Sequence, residues 1–251
     1  MTPALQTLGL NKRFGALEVT RNVDFTLPVG ARHALIGPNG AGKTTFINLL
    51  TGTLPASSGQ IQLLGEDITT RRPDERVKRG LVRTFQVTSL FPELTPHEAV
   101  TLAVCERLGI THRWHRRTGD HTAAVDEALA ILHRLRLGQV AHQRTRTLPY
   151  GQQRIVEVAL ALALKPRVLL LDEPAAGIPT TESAELFEII AELPDDISLL
   201  FIEHDMHLVF RFASRITVLV AGGVMAEGTP EEIAHHPDVR TVYLGNAEHA
   251  A

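Results

Sequence analysis

Gly37, Pro38, Asn39, Gly40, Ala41, Gly42, Lys43 and Thr44 follow directly on the apolar run His33-Ala34-Leu35-Ile36. Their spacing fits G-x-x-x-x-G-K-[ST], a loop whose backbone amides cradle phosphate. Glycines at 37, 40 and 42 open backbone conformations closed to other residues. Successive N–H groups then turn inward as an anion nest at the start of a helix. Lys43 supplies a mobile positive charge for the outer phosphates, and the Thr44 hydroxyl is of the type that ligates magnesium. Thr45 adds a further hydroxyl in the first helical turn. Far downstream, Val168-Leu169-Leu170-Leu171 delivers Asp172-Glu173, an acidic pair suited to completing a magnesium–nucleotide site. A glycine-rich turn that merely opens a helix needs neither a Gly-Lys-Thr tail nor an apolar strand before it. These residues imply binding, and hydrolysis, of a nucleoside triphosphate.

Such a site needs strands to aim it. Val23, Phe25, Leu27 and Val29 alternate as a half-buried strand closed by Gly30, and Phe46, Ile47, Leu49 and Leu50 sit on a helix after Lys43. Pro55 to Gly59 reads as a turn before a strand at Ile61-Gln62-Leu63. Residues 66–79 read as a charged loop broken at Pro73, and Leu81 to Phe85 as a strand ending at Gln86. From about 87 to 165 the pattern turns helical. Val125, Leu129 and Leu132, with Ala128, Ile131 and Leu135, form a core-facing stripe. The basic stretch His112-Arg113-Trp114-His115-Arg116-Arg117 reads as a solvated loop between helices. After Lys165-Pro166 strand–helix alternation resumes: a helix face of Leu186, Ile189, Ile190 and Leu193, strands at 197–202 and 216–220, and a turn at Gly222-Gly223. The expected organisation is one α/β domain spanning 1–251, with a helical subdomain at roughly 87–165 inserted in its core.

Composition narrows the partners. With 251 residues, 44% of them apolar and 21% charged, the chain is long enough to bury a substantial core. A net charge of -3 exerts no global pull toward nucleic acid or anionic membrane. The lone Cys105 excludes an intramolecular disulfide and fits a reducing, cytoplasmic setting. The N-terminus lacks a secretion-signal pattern, and no apolar run approaches the roughly 20 residues that span a bilayer. A membrane role must come through a partner.

Leu148-Pro149-Tyr150-Gly151-Gln152-Gln153-Arg154, placed before Asp172-Glu173-Pro174, resembles the signature stretch of ABC-type ATPases. The phosphate loop, Gln86, this signature, the acidic pair and His204 in Ile202-Glu203-His204-Asp205 match that family in order, across essentially the whole chain. Tyr150-Gly151-Gln152-Gln153-Arg154, Asp172-Glu173-Pro174-Ala175-Ala176-Gly177, Glu203-His204-Asp205-Met206 and the tail from Glu227-Gly228-Thr229-Pro230 are similar to the G-type ATPase subunit of branched-chain amino acid importers.

The resemblance implies an ABC-type P-loop ATPase fold with a mixed sheet core and an N-terminal antiparallel part. It also implies roles. Lys43 and the loop amides would hold the β- and γ-phosphates of ATP, and Thr44 and Asp172 would hold Mg²⁺. Glu173 would act as the base, His204 would orient it, and Gln86 would sense metal and water. Phe14 stands where the family places an adenine-stacking aromatic, which tolerates many bases and does not separate ATP from GTP. Tyr150, Gly151 and Gln152 would face nucleotide held by a second ATPase subunit, head to tail, more plausibly as a heterodimer than a homodimer. Two integral membrane permease subunits would dock around Val87 to Pro92, an extracytoplasmic solute-binding protein would deliver cargo, and the chain would lie peripherally on the cytoplasmic face of the inner membrane. The same chemistry fits the ATPase of a lipid or lipopolysaccharide exporter. A soluble ABC ATPase of DNA repair or translation fits less well, since the chain has room for neither a long coiled coil nor a second ATPase domain. Two departures stand out: Pro149 replaces the usual signature serine, and Pro179 replaces the usual Asp or Asn after Glu173.

Overall fold

The computed structural model describes residues 2–84, 90–110 and 121–244. Two sheets organise them. Strands β1 (Leu5–Phe14) and β2 (Leu17–Leu27) fold back on each other around Gly15, at φ +60°, and pair antiparallel from Leu5↔Leu27 to Phe14↔Leu17. With β4 (Ser58–Leu63) and β5 (Glu66–Asp67) they form an antiparallel sheet in the order β2-β1-β4-β5. The second sheet contains β3 (Arg32–Ile36), β6 (Leu81–Arg83), β7 (Val168–Asp172), β8 (Ser198–Ile202), β9 (Arg215–Val220) and β10 (Gly223–Gly228), in the order β10-β9-β3-β8-β7-β6. All its pairings are parallel except that of β10 with β9, so the sheet is mixed as expected.

The parallel strands are buried on both faces, so they read as continuous apolar runs rather than as alternations. On one face Leu35, Leu170, Leu200 and Ile202 pack against Phe46, Ile47, Leu49 and Leu50 of helix α1 (Lys43–Thr51) and the inner side chains of the antiparallel sheet. On the other, Ala34, Ile36, Leu169, Leu171, Leu199 and Phe201 meet Val156 and Ala159 of α5 (Tyr150–Ala163) and Leu186 and Phe187 of α6 (Thr180–Ala191). Each fully buried leucine contributes about 1.5–3 kcal/mol. The strand that leads to Lys43 is thus clamped between two cores, and the helix that starts there packs into one of them.

Helices α3 (Pro96–Arg107), α4 (Thr122–Arg134) and α5 lie between β6 and β7 in sequence. On α4 the buried positions are Ala124, Ala128 and Leu132, with Leu135 just beyond, while Val125, Leu129 and Ile131 are only partly covered. The buried stripe is therefore narrower than the periodicity predicts. Val29 lies past the end of β2 and is exposed.

Residues 66–79 depart from their reading as a loop. They hold β5 and a short helix, α2 (Pro73–Lys78), in which Pro73 opens the helix instead of breaking it. The Glu75 carboxylate accepts the Arg72 amide at 3.0 Å, satisfying a donor at the helix start. Arg76 is buried, and its guanidinium donates to the carbonyls of Leu49 and Leu50 at 2.7 and 2.6 Å, closing the C-terminal end of α1. A long-range contact of this kind leaves no periodicity to read.

His33, in the strand before the phosphate loop, is wholly buried. Thr217 Oγ1 donates to Glu227, so it accepts from His33 Nε2 at 2.8 Å, while His33 Nδ1 has no partner among the described residues. Burial holds its pKa down at about 4 from 6.5, against the pull of Glu227. The unfolded chain therefore takes up this proton first as pH falls, so stability drops between pH 6.5 and about 4. The loss expected from this one group is roughly 3 kcal/mol. Urea unfolding at several pH values should show this acid limb flattened in His33→Gln; parallel curves for the two proteins would refute the assignment.

Candidate functional site

The loop after β3 is shaped by close approaches. At Gly37 a Cβ would run into the Leu219 carbonyl oxygen, so that position is small because β9 lies against it. Gly42 has φ +98°, and a Cβ there would stand 2.8 Å from the Val19 carbonyl oxygen of β2. Phe46 N–H makes the first helical bond, to Gly42 O at 2.8 Å. The amides of Lys43, Thr44 and Thr45 come before it and belong to the turn that has no partners of its own within a helix. Lys43 Nζ folds back to the carbonyls of Gly37 and Pro38 at 2.6 and 3.1 Å. Burial lowers its pKa, and the nearby Glu173 and Asp172 carboxylates pull it back up. Thr44 is exposed and Thr45 half-buried.

Glu173 is brought to this loop by strand register. β7 and β8 pair with Asp172 opposite Ile202, and Glu173 N–H donates to Ile202 O at 3.0 Å. Glu173 then takes φ +49°, a left-handed conformation that costs a non-glycine residue on the order of 1 kcal/mol and concentrates at functional sites. Its Oε1 lies 2.7 Å from His204 Nε2. His204 is set by its neighbours: Asp205 caps α7 (Met206–Phe212) through the His207 amide, and the buried Glu203 accepts from the amides of Ala175 and His204 at 2.9 and 3.1 Å. Burial pushes the Glu203 carboxyl above its ordinary pKa, against those two hydrogen bonds. Asn39, Gly40, Ala41, Gly42, Lys43, Thr44, Thr45, Glu173, His204 and Val19 together line a cleft of about 250 Å³.

Asp172 is not among the residues lining the cleft, and its side chain is 1% exposed. Its Oδ2 accepts from Arg83 at 2.5 Å, and Oδ1 has no partner among the described residues. A buried carboxylate oxygen without a donor, on a residue whose charge acts on Lys43 of the phosphate loop, fits the all-oxygen coordination of magnesium. Arg83 carries no motif of its own, and Glu203 stands in the Glu203-His204-Asp205 stretch, yet only their contacts mark the two as part of the site.

Other sequence-predicted residues lie elsewhere. Phe14, 47% exposed at the end of β1, is not among the residues lining the cleft, and Lys12 Nζ stands 4.9 Å from its ring centroid. Gly151 and Gln152 line a separate depression of about 220 Å³ with Pro149, Arg136 and Glu182. Tyr150 packs beside Gly177, and its hydroxyl accepts from Arg154 at 2.6 Å. Pro149 sits just before α5, where its carbonyl accepts from Gln153 N–H at 3.0 Å and no side chain caps the helix. Pro179 stands likewise before α6. Gln86, the basic stretch 112–117 and residues 87–89 of the expected docking region lie outside the described residues.

The family model described as ABC transporter matches residues 20–176, which include the phosphate loop and the acidic pair. The chain belongs to the ABC transporter family. A second model, described as branched-chain amino acid ATP-binding cassette transporter, matches residues 224–249 of this ABC protein. It is 40% identical to the high-affinity branched-chain amino acid transport ATP-binding protein LivG of Escherichia coli (strain K12), over 98% of this chain and 99% of that one. BraF of Pseudomonas aeruginosa, described in the same words, is 38% identical over the same shares. Among solved structures, the ADP conformation of MJ1267, an ATP-binding cassette of an ABC transporter, superposes with a TM-score of 0.86 at 29% identity, covering 98% of this chain and all of that one. A nucleotide-free ATP-binding cassette from an ABC transporter gives 0.84, also at 29% identity. No helix among the described residues of this ABC protein is long and apolar enough to cross a membrane.

Proposed function

We propose that the chain is the ATP-binding and ATP-hydrolysing subunit of an importer for branched-chain amino acids or related small solutes. The observation that carries hydrolysis is the Glu173–His204 pair, 2.7 Å apart, lining the same cleft as Lys43. Full-length similarity to LivG and BraF, together with the match at 224–249, supports the importer and its cargo class.

In this reading Lys43 and the loop amides hold the β- and γ-phosphates of ATP. Thr44 and Asp172, with Gln86, hold Mg²⁺, which when bound neutralises charge on the phosphates. Glu173 takes a proton from the attacking water, and His204 fixes the carboxylate while facing the γ-phosphate. Phe14 stacks on adenine. Gly151 and Gln152 lie in a different depression and Tyr150 packs beside Gly177, so that these three, none of which lines the cleft, serve nucleotide held by a second subunit. The chain is one ATPase domain with a helical part at roughly 87–165, and the permeases dock around Val87 to Pro92.

The test is assembly. Expressed with the permease and ATPase genes beside it, the chain should co-purify with two integral membrane subunits and a second ATPase, and reconstituted vesicles supplied with solute-binding protein should take up labelled leucine only with ATP. A stable homodimer that hydrolyses ATP at full rate without membrane subunits would count against this function.

A further inference from the structure

Arg83 is the last residue of β6, paired in parallel with β7 opposite Leu170. Its guanidinium bridges three elements. Nη2 donates to Asp172 Oδ2 of β7 at 2.5 Å, and Nη1 donates to Asn48 Oδ1 of α1 at 2.6 Å. The side chains of Arg83 and Asp172 are 17% and 1% exposed, so the pair is withdrawn from water. The planar fork is therefore held at both ends, one on the helix that begins at Lys43 and the other on the strand that delivers Glu173.

We infer that Arg83 is a positioning residue: it locks the Asp172 carboxylate about its terminal torsion so that Oδ1, and not Oδ2, is the oxygen presented to the metal. That torsion is soft and two-fold in an unrestrained aspartate, so a fixed partner on one oxygen decides which oxygen is free. Hydrogen bonds to a ligating carboxylate from behind set its orientation and commonly matter by about 10- to 100-fold in metal affinity. Arginine suits the role because a lysine ammonium supplies charge without the fork and cannot span Asp172 and Asn48 in the same plane. Asn48 acts through Arg83, as the anchor of its far end.

The inference rests on the magnesium–nucleotide reading of the cleft, and one set of binding titrations separates the two. A non-hydrolysable ATP analogue is titrated into the full-length chain without metal and with increasing Mg²⁺. Bound Mn²⁺ is followed in parallel by its paramagnetic resonance signal. Arg83→Lys should bind the analogue as wild type does when metal is absent, and should need about tenfold more Mg²⁺ to reach the metal-enhanced affinity. Asn48→Ala, which keeps the ion pair, should shift in the same direction by less, and it carries the test if Arg83→Lys does not fold. Unchanged Mg²⁺ dependence in the folded variants, beside a clear dependence in wild type, overturns the role of Arg83 alone. Wild-type binding that is indifferent to metal overturns the magnesium–nucleotide reading, and this inference with it.

Discussion

Glu173→Gln is expected to bring steady-state ATP turnover of the assembled complex down by roughly 100- to 10,000-fold, the range a positioned general base supplies, while leaving ATP bound. The amide keeps the size of the carboxylate and an oxygen or nitrogen within reach of His204 Nε2, now 2.7 Å from Oε1. It removes only the basic oxygen. Lys43, Thr44 and Asp172 are untouched, so the nucleotide should be retained, and a filter assay of trapped ATP beside a turnover assay distinguishes the two effects. Turnover near the wild-type rate would remove Glu173 from the role of base.

The second large effect concerns Lys43 and the asymmetry of a heterodimer. Lys43→Ala deletes the charge that folds across the loop to Gly37 and Pro38, and a hydrogen bond to a charged group contributes about 1.5–3 kcal/mol. ATP affinity at this chain's cleft should fall by about 10- to 100-fold, with severe loss of transport. In the proposed heterodimer the corresponding lysine change in the second ATPase subunit should do less damage, because the nucleotide held there would face the signature of this chain, where Pro149 offers neither a hydroxyl nor an N–H. Pro149→Ser should leave activity unchanged or raise it; a serine at that position can also cap the open start of α5. Uptake by vesicles carrying each of the three variants measures this, and equal losses from the two lysine changes would defeat the asymmetry.

Much of the cleft is legible in the sequence because its parts are local. The loop from Gly37 to Thr45 lies between an apolar strand and a helix whose face is spelled out by Phe46, Ile47, Leu49 and Leu50, and Asp172-Glu173 ends a run apolar on both faces. What escapes is held by contacts distant in sequence. α2 looks like a charged loop because its anchor, Arg76, is a polar residue buried against the end of α1. Arg83 reads as an ordinary basic residue until Asp172, far along the chain, is seen beside it. Glu203 stands in a recognisable motif, yet its hold on the Ala175 amide depends on two strand ends meeting. Gly37 shows the same lesson at one position: its smallness answers also to Leu219 of a distant strand, whose carbonyl oxygen a Cβ would meet.

The pairing of Asp172 with Ile202 makes chain length, more than residue identity, the strictest constraint on the strand that leads to His204. Strands advance about 3.3 Å per residue and turn successive side chains to opposite faces. Exchanging one aliphatic residue for another between 198 and 202 perturbs packing and leaves that spacing alone. Deleting one residue shifts every later side chain to the other face of the sheet. His204 would then point away from Glu173, and Glu203 would lose the Ala175 amide. Natural or engineered variation in this stretch should therefore be free in composition within the aliphatic set and nearly closed to insertion and deletion.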